Sequence, residues 1–516
     1  MLVQSFLEES ARRFPGKTAL ICGAKRLTYA ELERQACRLA HDLAAGGVAR
    51  GDRVAVFLDN SPEAVVAVFA ILKAGAVFLV VNPTVKREKL VYILENCRAR
   101  GLVTDARKAQ ALEGCWSQAP HLASVWVSGE FQTDAAGPQF RPLEAALGEG
   151  NAQAPENQCI DIDLAALIYT SGSTGKPKGV MLTHLNMVSA ATSITTYLEN
   201  TSDDVILNVL PLSFDYGLYQ VLMGFKAGGT VVLERSFTYP FVVIEKLIAE
   251  KVTGFPIVPT ISAILLEMDL GKYRFPHLRY ITNTAAALPV SQILRLRSLF
   301  PDVKLYSMYG LTECKRVSYL PPSQIDIRPG SVGRGMPNEE VWIVDEAGNR
   351  AGPGATGELV IRGSNVMKGY WEDPEATDKV LRPGPLAGEK VLYSGDLFRM
   401  DEEGYLYFVG RKDDIIKTRG EKVAPKEVEE ILSGIEGVAE AVVLGVPDAV
   451  QGQAIQAVIR LKKGSRLTEQ EVLRHCAGRL EDFMVPKFVT FRDDLPKTST
   501  GKNNRRELAR TMGAER

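Results

Sequence analysis

The chain has 516 residues, 46% apolar and 24% charged, with a formal net charge of −1. A single core stops growing near ~250–300 residues, so this length calls for two or more domains in a soluble globular protein. The near-zero charge excludes a broad footprint for nucleic acid or anionic membrane, and no uninterrupted apolar run is long enough to span a bilayer.

The N-terminal MLVQSFLEESARRF alternates apolar and charged residues at helical spacing and does not read as a signal peptide. A strand over 53–58, a helix over 63–73, a strand over 76–81 and a helix over 86–97 follow, which is α/β patterning. Residues 129–161 are rich in Gly, Pro, Ala and Gln and read as a loop-rich connection. The apolar strand over 164–169 then runs into TSGSTGKPKG. There Thr170, Ser171, Gly172, Ser173, Thr174 and Gly175 combine close backbone approach with hydroxyl donors, and Lys176 and Lys178 add compact positive charge. That is an anion cradle on a strand-to-loop junction. It differs from the GxxxxGK[ST] loop of many nucleotide-binding proteins, because Pro177 follows Lys176 and leaves no adjacent hydroxyl for magnesium.

From Trp342 the pattern changes to hairpins, with turns at Ala347-Gly348 and Glu403-Gly404. A tail of domain size follows, with a helix over 426–432, strands over 438–444 and 453–461, and a helix over 468–480. The expected architecture is α/β (α+β, multi-subdomain): a large domain over 1–410 and a small one over 411–516. The seven cysteines are scattered without a CxxC, which suits reduced thiols in the cytoplasm.

Four further segments carry chemistry: MYGLTE (308–313), YSGDL (393–397), GRKDDIIKTRGEKVAP (410–425) and PKTSTGKNNRREL (496–508). In this order and spacing, together with the glycine-rich loop, they resemble the adenylate-forming superfamily of acyl-CoA synthetases, carrier-protein adenylation enzymes and firefly luciferase. The resemblance covers nearly the whole chain. It implies that the loop over 170–179 holds the β- and γ-phosphates of ATP, and that Tyr309 stacks on adenine. It further implies that Thr312 contacts the α-phosphate, that Glu313 binds Mg2+, and that Asp396 and Arg411 hold the ribose. Lys502 would reach the reacting carboxylate and α-phosphate. Asp413 would be the hinge of a mobile small domain, and Gly420 would lie at a tunnel for the incoming thiol.

The same resemblance places the acid pocket at Asp215, Tyr216, Tyr219, Asn283, Thr284, Ala285, Met308 and Arg316. Amino-acid adenylation enzymes typically carry Phe-Asp where this chain has Phe214-Asp215. The expectation is therefore a small acid, proline first, whose ammonium pairs with Asp215. The alternative is that Asp215 pairs internally, with Arg316 as a candidate. Tyr216, Tyr219 and the side chains at Thr284-Ala285 favour a compact acid over a long chain. The acceptor would be the phosphopantetheine of a carrier protein in trans, or coenzyme A in the alternative of a short- or medium-chain acyl-CoA synthetase. A non-catalytic nucleotide-binding scaffold and a P-loop kinase fit less well. The expected oligomeric state is monomer or homodimer.

Overall fold

The computed structural model describes residues 1–133, 137–170, 177–284, 288–418, 421–448, 452–498 and 503–514. Among these, two mixed sheets of nine and eight strands organise the large domain. In the eight-stranded sheet, Arg53–Phe57, Val77–Val80, Gly101–Asp105, Ser124–Ser128 and Leu164–Thr170 are joined in parallel pairings. Lys178–Thr183 then turns back antiparallel against Leu164–Thr170. The nine-stranded sheet joins Val205–Asn208, Gly254–Ile257, Tyr280–Asn283 and Lys304–Tyr309 in parallel.

Helices fill the space between the sheets. Pro62–Lys73 is apolar on nearly every face and buried along its whole length, the pattern of a helix covered on all sides. It packs on the helix Tyr29–Ala45 and on the strands Arg53–Phe57 and Val77–Val80. Asp215–Ala227 is buried from its first residue through Phe225 and packs on the helix His184–Tyr197 and on Val205–Asn208. Thr183 caps His184–Tyr197 reciprocally with Asn186, so the chain leaves the Lys178–Thr183 strand directly into that helix.

The elements expected at 53–58, 63–73, 76–81, 86–97 and 164–169 form within a residue or two of those limits. The connection over 129–161 is more ordered than expected. It contains an edge strand, Gln139–Pro142, paired in parallel with Ser124–Ser128, and a helix, Leu143–Gly148. Both expected hairpins form: Glu339–Val344 with Thr356–Gly363, and Lys390–Met400 with Leu406–Arg411.

The small C-terminal domain has its own core, in which Ile416, Val428, Leu432, Val443, Ile459 and Val472 come together. Its helix Glu469–Ala477 begins at a Thr468–Glu471 capping box and stops at Gly478, earlier than its apolar pattern suggested. No helix among the described residues is long and apolar enough to cross a membrane.

Candidate active site

The glycine-rich loop is held at its base by a hairpin, with Tyr169 opposite Gly179 and Thr170 opposite Lys178. Ser171, Gly172, Ser173, Thr174, Gly175 and Lys176 lie outside the described residues. The base is fixed from both sides. Tyr92 donates its hydroxyl to the Pro177 carbonyl at 3.3 Å, and Trp371 N–H donates to the Gly179 carbonyl at 2.7 Å. A side chain on Gly179 would meet Trp371 and Tyr169 at 3.3 Å, so the strand is pinched where the loop returns. Lys178 Nζ stands 3.4 Å from Asp373 and 5.3 Å from the centre of the Tyr370 ring.

A second cluster joins three expected residues from distant segments. Tyr309, at the end of Lys304–Tyr309, donates its hydroxyl to Asp396 Oδ2 at 2.6 Å. Arg411 Nε reaches Asp396 Oδ1 at 3.0 Å across the Lys390–Met400/Leu406–Arg411 pairing. Burial and the Asp396 carboxylate hold the Tyr309 hydroxyl well above its ordinary pKa, so it remains a donor. The Tyr309 ring packs edge-on against Phe398, with centroids 4.8 Å apart.

Past Tyr309 the chain turns sharply. A Cβ on Gly310 would lie 2.4 Å from the Lys315 carbonyl, so the approach requires glycine. Lys315 closes the turn in the left-handed region, φ +69°, which is costly for a residue with a side chain. Val317 N–H then returns to the Tyr309 carbonyl. Thr312 and Glu313 lie within this turn. Glu313 Oε1 accepts the Tyr370 hydroxyl at 2.7 Å, and burial followed by the Glu313 charge pushes that hydroxyl's pKa up.

The same turn directs Lys315 and Arg316 inward. Lys315 Nζ stands 3.5 Å from Asp215 Oδ2, with the side chains 2% and 10% exposed. It lies 4.4 Å from the centre of the Tyr219 ring. Burial, with a smaller contribution from Arg316, lowers the Lys315 pKa from 10.5 to about 7 against the opposing pull of Asp215. Of the two expectations for Asp215, the internal pairing is the one observed, and its partner is Lys315 rather than Arg316. The free substrate amine expected beside Asp215 would meet a site already holding a protein cation.

Around this pair, Tyr216 bonds through its hydroxyl to Thr282, at 2.8 Å to the carbonyl and 2.6 Å to Oγ1. Tyr197 donates its hydroxyl to Met308 Sδ at 3.1 Å. Asn283 ends the neighbouring strand Tyr280–Asn283 and Thr284 follows it, both in the interior. Ala285, Gly420 and Lys502 lie outside the described residues. Asp413 falls in the short 3-10 turn Lys412–Asp414 after the last strand of the large domain.

Lys315, Tyr370 and Asp373 are the site residues that pattern reading missed. The signal for the first was its place beside Arg316 in TECKR; for the others it was the aromatic pair Tyr370-Trp371 behind Lys368. His184 is structural: its Nδ1 accepts the Val3 N–H at 3.1 Å, and burial lowers its pKa to about 4. Cys314 is a quiet thiol, its pKa raised by burial.

The sequence matches two family models, the AMP-binding enzyme over residues 7–371 and the AMP-binding enzyme C-terminal domain over 427–502. It is 33% identical to a long-chain-fatty-acid–CoA ligase of Bacillus subtilis (strain 168), over 98% of this chain and 94% of that protein. It is 35% identical to a feruloyl-CoA synthase of Amycolatopsis sp, over 98% and 97%. Among solved structures, ATP-bound MatB from Rhodopseudomonas palustris superposes with a TM-score of 0.88 at 32% identity, covering 99% of both chains.

Proposed function

The chain belongs to the AMP-binding enzyme family and is an AMP-forming acid–thiol ligase; from that premise we propose that its acid is compact and polar and its acceptor is coenzyme A. The observation that carries the first half is the Asp215–Lys315 pair with Arg316 beside it. A pocket walled by buried charges is a poor host for a long alkyl chain, because each charge loses water and gains no polar partner from a hydrocarbon. Similarity to relatives named as CoA ligases and synthases supports the second half.

In this reading Tyr309 offers its ring to adenine, and Asp396 with Arg411 takes the ribose hydroxyls. The loop over 170–179 and Lys178 hold the β- and γ-phosphates. The Lys178–Asp373 contact is partly exposed, and an exposed ion pair contributes little, so a phosphate can displace it. Thr312 donates to the α-phosphate. Glu313 has one oxygen engaged by Tyr370 and leaves the other for a cation. One protein carboxylate plus substrate phosphates is a usual arrangement for Mg2+, so this side chain fits the ion that accompanies ATP. When bound, that ion supplies charge neutralisation on the phosphates.

Lys502, brought by the small domain, bridges the attacking carboxylate and the α-phosphate, which otherwise repel each other. Pyrophosphate leaves and an acyl-adenylate remains. The small domain then turns about Asp413 and brings the segment around Gly420 to the thiol. The thiol attacks the anhydride carbon, the thioester forms and AMP leaves. No enzyme nucleophile is required, which agrees with the quiet Cys314. All seven cysteines are free thiols, as suits a reducing compartment such as the cytoplasm.

Pyrophosphate exchange across short, aromatic and amino acids tests the acid, and thioester formation with coenzyme A alone tests the acceptor. Exchange confined to long-chain fatty acids would overturn the compact-acid reading. Exchange confined to amino acids, with thioester formed only on a carrier protein, would restore the carrier-protein reading.

A further inference from the structure

Arg316 is 1% exposed and is among the largest fully buried side chains of the chain. Four lysine and arginine residues are less than one-tenth exposed among the described residues: Lys73, Lys108, Lys315 and Arg316. The first three each have a carboxylate at hand. Lys73 lies 2.6 Å from Glu8 and 2.7 Å from Glu33, Lys108 lies 2.8 Å from Asp105, and Lys315 lies 3.5 Å from Asp215.

Among the described residues Arg316 makes no ion pair and its Nε–H has no hydrogen-bond partner. Its guanidinium stands 5.2 Å from the centre of the Tyr216 ring, and its charge also acts on the Tyr197 hydroxyl. These contacts offset only part of the desolvation of a group that cannot discharge by losing a proton. The cluster Asp215, Lys315 and Arg316 therefore holds one positive charge more than it balances when Lys315 is protonated. Its planar fork of donors matches a carboxylate, two N–H groups to two oxygens.

We infer that the acid activated by this enzyme carries a second anionic group, a carboxylate or its equivalent, and that Arg316 is the residue that selects it. The inference rests on the adenylation reading above, in which the reacting carboxylate is already matched to Lys502 and the magnesium on the phosphates. Arg316 is thus left for an anion elsewhere on the same molecule. A dicarboxylic acid satisfies both ends. The matched monocarboxylic acid leaves the guanidinium buried and unpaired, which is the stronger way for a polar site to reject a substrate.

The test compares α,ω-dicarboxylic acids of three to eight carbons with monocarboxylic acids of equal length, by acid-dependent pyrophosphate exchange. The expected result is a kcat/KM preference of about ten- to a hundredfold for the best diacid over its monoacid, the size of one charge-assisted contact. In Arg316→Met the preference collapses while exchange with the monoacid persists. A readout independent of catalysis is thermal: with AMP present, the preferred diacid raises the Tm of the wild type and the monoacid does not. Arg316→Met without acid keeps a Tm no lower than the wild type, because an unbalanced charge has been removed, whereas a purely structural arginine would give a marked fall. Preference for the monoacid, or a diacid preference unchanged in Arg316→Met, would overturn the inference while leaving adenylation standing. Exchange with no acid of any class would overturn the adenylation reading and this inference with it.

Discussion

Lys315 Nζ stands 3.5 Å from the Asp215 carboxylate, in a place where neither side chain is more than one-tenth exposed. Removing Asp215 strands Lys315 next to Arg316, two like charges without a counter-ion. Breaking a buried pair costs about 3–5 kcal/mol, and neutralisation of Lys315 recovers part of that, so Asp215→Ala should lose ~1–3 kcal/mol near neutral pH. The double variant Asp215→Ala/Lys315→Met should regain most of it. Urea denaturation of the four proteins in the cycle measures the coupling; additive losses would show that the two groups do not interact.

Stability should carry the signature of Lys315. Its ordinary pKa of 10.5 applies in the unfolded chain, and the folded value is about 7. Between those values the unfolded chain binds the extra proton, so stability rises with pH across the window. Below pH ~7 both states are protonated and the charge penalty is fully present. The charged and titratable groups around it are Asp215, Arg316, Tyr216, Tyr219 and Cys314. The difference in stability between the wild type and Lys315→Met, measured from pH 6 to 10, isolates the lysine from them. A difference that stays flat with pH would mean the amine keeps its ordinary pKa in the fold.

The nucleotide end gives a binding prediction. Asp396 accepts from Tyr309 on one oxygen and pairs with Arg411 on the other. Asp396→Asn removes the charge that orders both partners and should raise the KM for ATP by about ten- to a hundredfold, the range for hydrogen bonds to a charged group. Tyr309→Phe keeps the ring and should cost several-fold less. Titration with ATP followed by steady-state rates separates these effects, and an unchanged KM for the acid confirms that the defect is local.

Lys502→Ala should cut adenylation by about two to three orders of magnitude, the usual loss for one positioned transition-state donor. It should leave thioester formation from a supplied acyl-adenylate largely intact. Equal loss in both half-reactions would contradict a small domain that serves them in two orientations.

Much of the frame was legible in the chain because local chemistry determined it. The strand Leu164–Thr170 ends where the Gly/Ser/Thr run begins, and the helix Pro62–Lys73 is apolar enough to require cover on all sides. What was hidden depends on non-local geometry. Lys315 reaches Asp215 only because the turn at Gly310 closes with a left-handed lysine, so its place in TECKR marks the pocket but not the partner. Tyr370 meets Glu313 across 57 residues of sequence. The strand Gln139–Pro142 has little intrinsic preference for extended structure and exists because an open edge at Ser124–Ser128 pairs with it. The phosphate loop was read from composition, and the residues that brace its base, Tyr92 and Trp371, come from elsewhere in the chain.

Product analysis of one reaction containing ATP, Mg2+, coenzyme A and the acid that best supports pyrophosphate exchange, with no carrier protein added, decides whether the enzyme is an AMP-forming coenzyme A ligase. AMP, pyrophosphate and acyl-CoA should form in equal amounts. ADP with orthophosphate, or AMP with no thioester until a carrier protein is supplied, would contradict it.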